Sequence, residues 1–334
     1  MSDYMGENID RLVTIELKNL AMPHDIVVPM YEAARAEGGG RPISMRAAEG
    51  LIAKVKRHDS VFVVTGAGYA PGMPTGESDG PPGAASIARA LYKGLGAVPV
   101  FVCENKHAGP IKASSEAATL MIRPPEAAKR GFGAAVETAP DDQSAVAAWA
   151  KALHERWNPK AIISVERLGP AKDGVVYNAT AIPKGPETSI IDLAEVFYEA
   201  ERRKVFSIGI GDHGNEMGFG RIPEAIARIM PKGETLCTVV RTDVLFPCLM
   251  SNWGAYAIEA ALAFLLKQPE LMHGMKAEER IIRHCLDAGG LEAMWCTTDF
   301  IVDSADGESS MAVVQLLNNM VRLALQPPTR GVAH

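Results

Sequence analysis

Lysine and arginine are too few in this chain to build a basic face: 34 stand against 40 aspartates and glutamates, giving a net charge of −6 over 334 residues. That disfavours nucleic acid as the main partner, because phosphate binding needs a surface rich in both. It equally disfavours an anionic membrane surface. Long apolar runs are missing too. The longest, such as 255–266, is broken by Glu259 and falls short of the ~20 residues that span a bilayer. The opening MSDYMGENIDRLVTIELK mixes charges and has neither a signal-peptide core nor an Arg-rich transit pattern. Cysteine is scarce and odd in number: Cys103, Cys237, Cys248, Cys285 and Cys296, with no C-x-x-C. Free, mostly buried thiols in a reducing compartment are the simplest reading, and a cytoplasmic location is expected. Neither H-E-x-x-H nor G-x-S-x-G occurs, and His58, His107, His154, His273 and His284 lack metal-ligand spacing. Zinc and serine-hydrolase chemistry are therefore disfavoured.

What is present is ordinary globular material, 47% hydrophobic and 22% charged, long enough for a sizeable core. Short β-branched runs alternate with amphipathic stretches. Strands are expected at 61–64, 98–102, 161–165, 205–210 and 235–241, with helices at 84–95, 144–157, 191–203 and 222–230. Because the strand runs are continuously apolar rather than alternating, both faces of a parallel sheet must be covered. The expected fold is α/β: a doubly wound, mostly parallel sheet in a three-layer α/β/α arrangement. Extra helices flank it at both ends. Residues from about 10 to 57 carry one or two helices joined by Gly38-Gly39-Gly40. After Asn252, helices are expected at 253–266, 278–286 and 311–325, with one strand candidate near 295–302. Without linker or repeat, the expectation is a single domain over 1–334, with 1–57 as a helical extension and 58–334 as the core. A homodimer is the default expectation for such a chain.

In open α/β sheets ligands bind beyond the carboxyl ends of the strands, and every unusual polar cluster here follows an expected strand. The first opens with Thr65-Gly66 and runs to Ala84, far longer than the usual βα connection of roughly 2–6 residues. It carries Glu77, Ser78 and Asp79 before the rigid Gly80-Pro81-Pro82 turn, and lacks the G-K-[ST] of a phosphate loop. In the second, Glu166 and Arg167 end a buried strand, where charge is costly unless paired or ligand-bound. Arg167 has the planar fork that clamps carboxylates; the alternative is a Glu166–Arg167 ion pair beside the turn at Asp173-Gly174, with Asn178 following. The third is the sharpest. Gly211-Asp212-His213-Gly214-Asn215-Glu216 is a glycine-rich turn whose amides could hold an anion. Its Asp212, His213, Asn215 and Glu216 suit general acid/base work or oxygen ligation of a divalent cation. The fourth places Arg241-Thr242-Asp243 at a strand end and Ser251 or Asn252 as the N-cap of the next helix.

These motifs, in this order, resemble those of the D-glutamate cyclase family, in its C-terminal cyclase-like domain. The matching segments are Thr65-Gly66, E-S-D-G-P-P-G-A at 77–84, V-E-R through D-G to Y-N at 165–178, G-I-G-D-H-G-N-E-M-G-F-G at 209–220, and S-N-W-G-A-Y-A at 251–257. Ser78 replaces a threonine of the family pattern, and His213 stands where the pattern has glycine. The resemblance implies a hydro-lyase that converts D-glutamate to 5-oxo-D-proline and water without ATP. It implies Asp212 or Glu216 as base, Asp79 as anchor for the amine, Arg167 as clamp for a substrate carboxylate, and His213 as an added base or a pocket-narrowing group. The other polar groups of the four clusters, together with Gly211 and Gly214, would surround the substrate, and amides between Gly211 and Gly218 would stabilise the oxyanion. The resemblance fixes no cofactor; a divalent metal, magnesium or manganese, held by Asp79, Asp212 and Glu216 would serve as Lewis acid equally well. Two other readings stay open. One is an enzyme of the same fold acting on another small amino or hydroxy acid. The other is a non-catalytic module that binds an acidic metabolite.

Overall fold

Val61-Phe62-Val63-Val64 is apolar at every position because helices cover both faces of its strand. In the computed structural model, which describes residues 2–17 and 23–327, Val61 and Val63 join one apolar cluster while Phe62 and Val64 join a second on the opposite face. The strands are β1 Ser60–Thr65, β2 Val98–Glu104, β3 Ala135–Ala139, β4 Ala161–Val165, β5 Val176–Tyr177, β6 Pro183–Lys184, β7 Phe206–Gly211, β8 Val244–Pro247, β9 Ile301–Val302 and β10 Ala305–Asp306. Six of them form one parallel sheet in the order β3-β2-β1-β4-β7-β8. The order reverses between β1 and β4, and a crevice opens beyond the carboxyl ends of strands at such a point. Register brings those ends level: Thr65 lies opposite Val165, and Val165 opposite Ile210.

The helices are α1 Ser2–Val13, α2 Val27–Glu37, α3 Ile43–Lys54, α4 Pro81–Ala90, α5 Ala108–Ala117, α6 Pro125–Lys129, α7 Val146–Trp157, α8 Ala194–Arg202, α9 Pro223–Ile229, α10 Gly233–Leu236, α11 Ser251–Leu265, α12 Met275–Asp287 and α13 Gly307–Leu325. Side chains of α1 to α4, α11 and α13 pack into the first cluster, and those of α7 and α8 into the second. This is the three-layer α/β/α arrangement.

Several elements differ from the sequence expectation, each for a local reason. The N-terminal region holds three helices rather than one or two. Strand β3 went unseen because it is an edge strand whose middle residues are only half-buried, so it lacks a continuous apolar run. Residues 235–241 are not a strand; α10 ends at Leu236, Thr238 and Arg241 make only isolated bridges, and the ladder begins at Val244. The strand candidate at 295–302 contracts to the two residues of β9.

The helical layer behind β1 is tied together by a buried polar network. His273 contacts Glu259 of α11 through Nδ1 at 2.6 Å and Glu278 of α12 through Nε2 at 3.0 Å. Ser86 of α4 donates to Glu259 at 2.5 Å, and Tyr256 donates to Glu278 at 2.8 Å. Burial opposes a charge on His273, yet Glu259 and Glu278 push its pKa up to about 10. A group whose pKa is raised on folding stabilises fully below its unfolded value, here 6.5, and loses that contribution as pH climbs through the folded value. The melting temperature should therefore fall between pH 7 and pH 10, and the fall should be shallower in His273→Gln. Thermal melts across that range check it; equal slopes in parent and variant would contradict it.

Candidate active site

The loops that leave β1, β4 and β7 meet around a cavity of about 300 Å³. Ala67, Tyr69 and Glu77 come from the first loop, Glu166 and Leu168 from the second, and Asp212, His213, Asn215 and Glu216 from the third. Asn178 and Thr180 close one side, Met294 and Asp303 the other. The backbone stitches the second and third loops together: Gly169 N–H donates to Asn215 O at 2.9 Å, and Met217 N–H to Arg167 O at 2.8 Å.

Two helix N-termini point into this region and cap each other's ends. Both oxygens of the buried Asp79 accept from the first amides of α11, Ser251 N–H at 2.7 Å and Asn252 N–H at 2.8 Å. In return, the Asn252 side-chain oxygen accepts from Gly80 N–H at 3.0 Å and Gly83 N–H at 2.7 Å at the start of α4, while its amide nitrogen donates to Ser78 O at 3.0 Å. Four orphan amides are thus satisfied by two side chains distant in sequence. Ser251 and Asn252 are the first residues of α11 rather than its N-cap; the expected self-capping is replaced by Asp79 from another loop. The contact explains Gly83, since a Cβ there would sit 2.7 Å from Asn252 Cα. Gly80 has φ +100°, and its Cβ would meet Thr65 Oγ1 at 2.7 Å. Ser251 also donates its hydroxyl to Glu166 at 2.5 Å, which fixes that carboxyl at the cavity wall.

The third motif folds back on itself. Glu216 accepts from His213 N–H at 3.3 Å and Gly214 N–H at 2.9 Å, so its own carboxyl fills the amide nest of the glycine turn. Met217 and Gly218 N–H donate to Arg167 O and Val240 O. The expected backbone oxyanion site at 211–218 is therefore already occupied at these four amides. Residues 209–214 also spell G-x-G-x-x-G, yet the following helix starts only at Pro223 and the nest holds Glu216, so a dinucleotide phosphate has no place there. The side chain of His213 meets Asp212 Oδ1 through Nδ1 at 2.5 Å.

Six carboxyl groups gather here: Glu77, Asp79, Glu166, Asp212, Glu216 and Asp303. No lysine or arginine lines the cavity among the described residues. Burial, then the charges of Asp303 and Asp79, hold Glu77 well above the ordinary carboxyl range. Burial, then Asp303 and Asp212, do the same to Asp79 against the pull of the α11 amides. Glu166 is raised by burial and by Asp212 and Glu216. Glu216 is pushed up to about 7 by burial and Asp212, with His213 and the backbone amides opposing.

The structure redirects three expected site residues. Arg167 is fully buried and does not line the cavity: its guanidinium grips both oxygens of Glu104 at 2.6 and 2.7 Å, donates to Gly66 O at 2.7 Å, and reaches Ile191 O. It pairs with Glu104 rather than Glu166, and holds in place the two loops that wall the cavity. Asp173 lies on the surface, accepting from Tyr177 OH at 2.7 Å. Asp243 precedes β8, at the amino edge of the sheet, where it accepts from Ser207 N–H at 2.8 Å; the misplaced strand had put it at the wrong end. Asp303 was missed, because nothing in I-V-D-S-A-D shows that the hairpin of β9 and β10 returns to the cavity.

A family model described as D-glutamate cyclase-like, C-terminal, matches residues 36–318. The human mitochondrial D-glutamate cyclase is 30% identical over 201 residues, covering 58% of this chain and 30% of its own length. This chain therefore aligns with less than a third of that relative. Among solved structures, a mycobacterial protein complexed with NADPH overlaps 68% of each chain at 16% identity and a TM-score of 0.21, a likeness too weak to bear on fold or function.

The Arg167–Glu104 pair generates a direct test. Although burial opposes it, Arg167 and then His107 keep the Glu104 carboxyl well below its usual range. Removing either partner strands a buried charge, so Arg167→Met and Glu104→Gln should each lose about 3–5 kcal/mol in urea unfolding, and the double variant less than their sum. A stable Arg167→Met would contradict the structural role.

Proposed function

The chain belongs to the D-glutamate cyclase-like family, and we propose that it is a carbon–oxygen lyase that closes D-glutamate to 5-oxo-D-proline with loss of water. The observation that carries this reading is the convergence of three strand-end motifs on one small cavity whose polar lining is carboxyl, amide, imidazole and hydroxyl. Its volume of about 300 Å³ lies at the lower end of ligand pockets and suits a small amino acid better than a nucleotide.

The chemistry asks little of the protein beyond orientation, because amine and γ-carboxyl already belong to one molecule. The ammonium gives up one proton, the nitrogen attacks the carbon of the γ-carboxyl group and a C–N bond forms; the nitrogen then loses a second proton, and the C–O bond breaks as one carboxyl oxygen, having taken up two protons, leaves as water. His213, held against Asp212 through Nδ1, acts with that carboxylate as the base. Glu216, titrating near neutral pH, returns the proton to the departing hydroxyl. Glu77 and Glu166, raised well above the carboxylate range, are neutral acids that donate hydrogen bonds to the substrate's carboxylates.

A second reading, an enzyme for another small amino or hydroxy acid, rests on His213, an imidazole in place of the family's glycine. His213→Gly separates the two: a changed pH–rate profile with D-glutamate retained supports the base role, whereas a changed acid preference with an unchanged profile supports the second reading.

Turnover by proton NMR should show the D isomer converted and the L isomer left alone. Asp212→Asn should lower the rate by at least about 100-fold with the melting temperature unchanged or raised, since a like charge is relieved. Conversion of neither isomer, with or without added divalent cation, would overturn the proposal.

A further inference from the structure

The hairpin of β9 and β10 presents an unusual turn. Its two connecting residues, Asp303 and Ser304, have φ of +46° and +66°, a pair of left-handed positions that two-residue hairpins normally give to Asn-Gly or Asp-Gly. Non-glycine residues persist there only where the surroundings over-determine them. The anchors are visible. Ser78 donates its hydroxyl to Ile301 O at 3.2 Å, and Ser304 N–H donates to the buried Glu292 at 3.2 Å, whose other oxygen accepts from Trp295 N–H at 2.8 Å. The hairpin is thus pinned to the residue next to Asp79.

What this anchoring delivers is the Asp303 carboxyl. One oxygen each from Asp79, Asp212 and Asp303 lie within 4.8 Å of one another. Oxygens on opposite sides of one ion stand about 4.0–4.2 Å apart for magnesium and about 4.6–5.2 Å for calcium, and neighbouring ones stand closer, so a separation within 4.8 Å is compatible with three ligands sharing one ion. A separate observation points to a ligand in the same cavity. Asn215 is only 2% exposed, its amide nitrogen is spent on Tyr177 O at 2.9 Å, and its Oδ1 has no hydrogen-bond partner. A buried amide oxygen in that position asks for a cation or a donor from outside the protein.

We propose that Asp79, Asp212 and Asp303 form a divalent-cation site of the magnesium or manganese class, with Asn215 Oδ1 accepting from the water shell of the bound ion. All-oxygen, carboxylate-rich ligation is the chemistry of those ions rather than of zinc. The site differs from the ligand set read off the sequence: Asp303, from a hairpin over ninety residues downstream of Asp212, takes the place given to Glu216. Its catalytic consequence rests on the cyclase reading. The ion offsets the carboxyl cluster and gives the γ-carboxylate of an anionic substrate a positive partner, leaving Glu216 for proton transfer.

Chelator-treated protein should gain melting temperature on addition of Mg²⁺ or Mn²⁺. Calorimetry in buffers of different ionisation enthalpy should show protons released on binding, and Mn²⁺ should lose its free-ion EPR signal. Asp303→Asn should weaken binding more than about 10-fold, the lower end for changes around a metal site, with the metal-free melting temperature unchanged or higher. Asp212→Asn should do the same, whereas Asp299→Asn, an exposed residue just before β9, should leave binding as it was. No melting shift and no EPR change in the parent would overturn the site, as would parent-like affinity in Asp303→Asn. Metal-free turnover of D-glutamate would remove the ion from the reaction while leaving the cyclase reading intact. Tight metal binding without turnover would do the reverse.

Discussion

Ionised carboxyl groups are among the most expensive things a protein can bury, and this fold brings six of them to one crevice. Much of the surrounding architecture answers that cost. The crevice lies where the sheet order reverses, so the amino ends of α4 and α11 both face it, and helix N-termini favour negative charge. Asp79 takes two of those amides directly. Glu216 takes two more from its own turn. Burial and mutual repulsion raise the proton affinity of Glu77, Asp79, Glu166 and Glu216 together, for Asp79 and Glu216 against the pull of those amides. A crevice in that condition favours ligands that bring positive charge, an ammonium or a metal ion, and it can give and take protons near neutral pH.

The guanidinium of Arg167 is used elsewhere. Arg167 begins the loop after β4, adjacent in sequence to a cavity carboxyl, yet it turns inward to Glu104 at the end of β2. Its further bonds to Gly66 O and Ile191 O make it a clamp on the loops rather than on substrate. The same logic separates fold from function. The strand order is that of many dinucleotide-binding sheets, and residues 209–214 even carry the glycine spacing, but the nest is filled and the cavity is small. Fold alone would have misled; the contents of the site decide.

The central sheet was legible because its strands are short apolar runs with no alternation, and only coverage on both faces accounts for that. The three strand-end motifs were legible because glycines and acids after a buried strand have few structural explanations. Gly80, Gly83 and Gly254 are required by close approach, Gly254 because a Cβ would stand 2.5 Å from Ile210 Cγ2. What stayed hidden depends on contacts between distant segments. The Asp79–α11 and Asn252–α4 caps join residues more than 160 apart in sequence. The Glu104–Arg167 pair and the return of Asp303 have no local pattern either. Asp243 was misassigned for a simpler reason: a β-branched run at 235–241 reads as a strand, but the ladder starts one turn later.

A crystal structure with 5-oxo-D-proline bound tests this account most directly. The ring should occupy the cavity between the loops after β1, β4 and β7, with its lactam group within hydrogen-bonding distance of His213 or Glu216 and no contact to Arg167. Binding at the amino edge of the sheet, near Asp243, or a ligand carboxylate seated on Arg167, would contradict it.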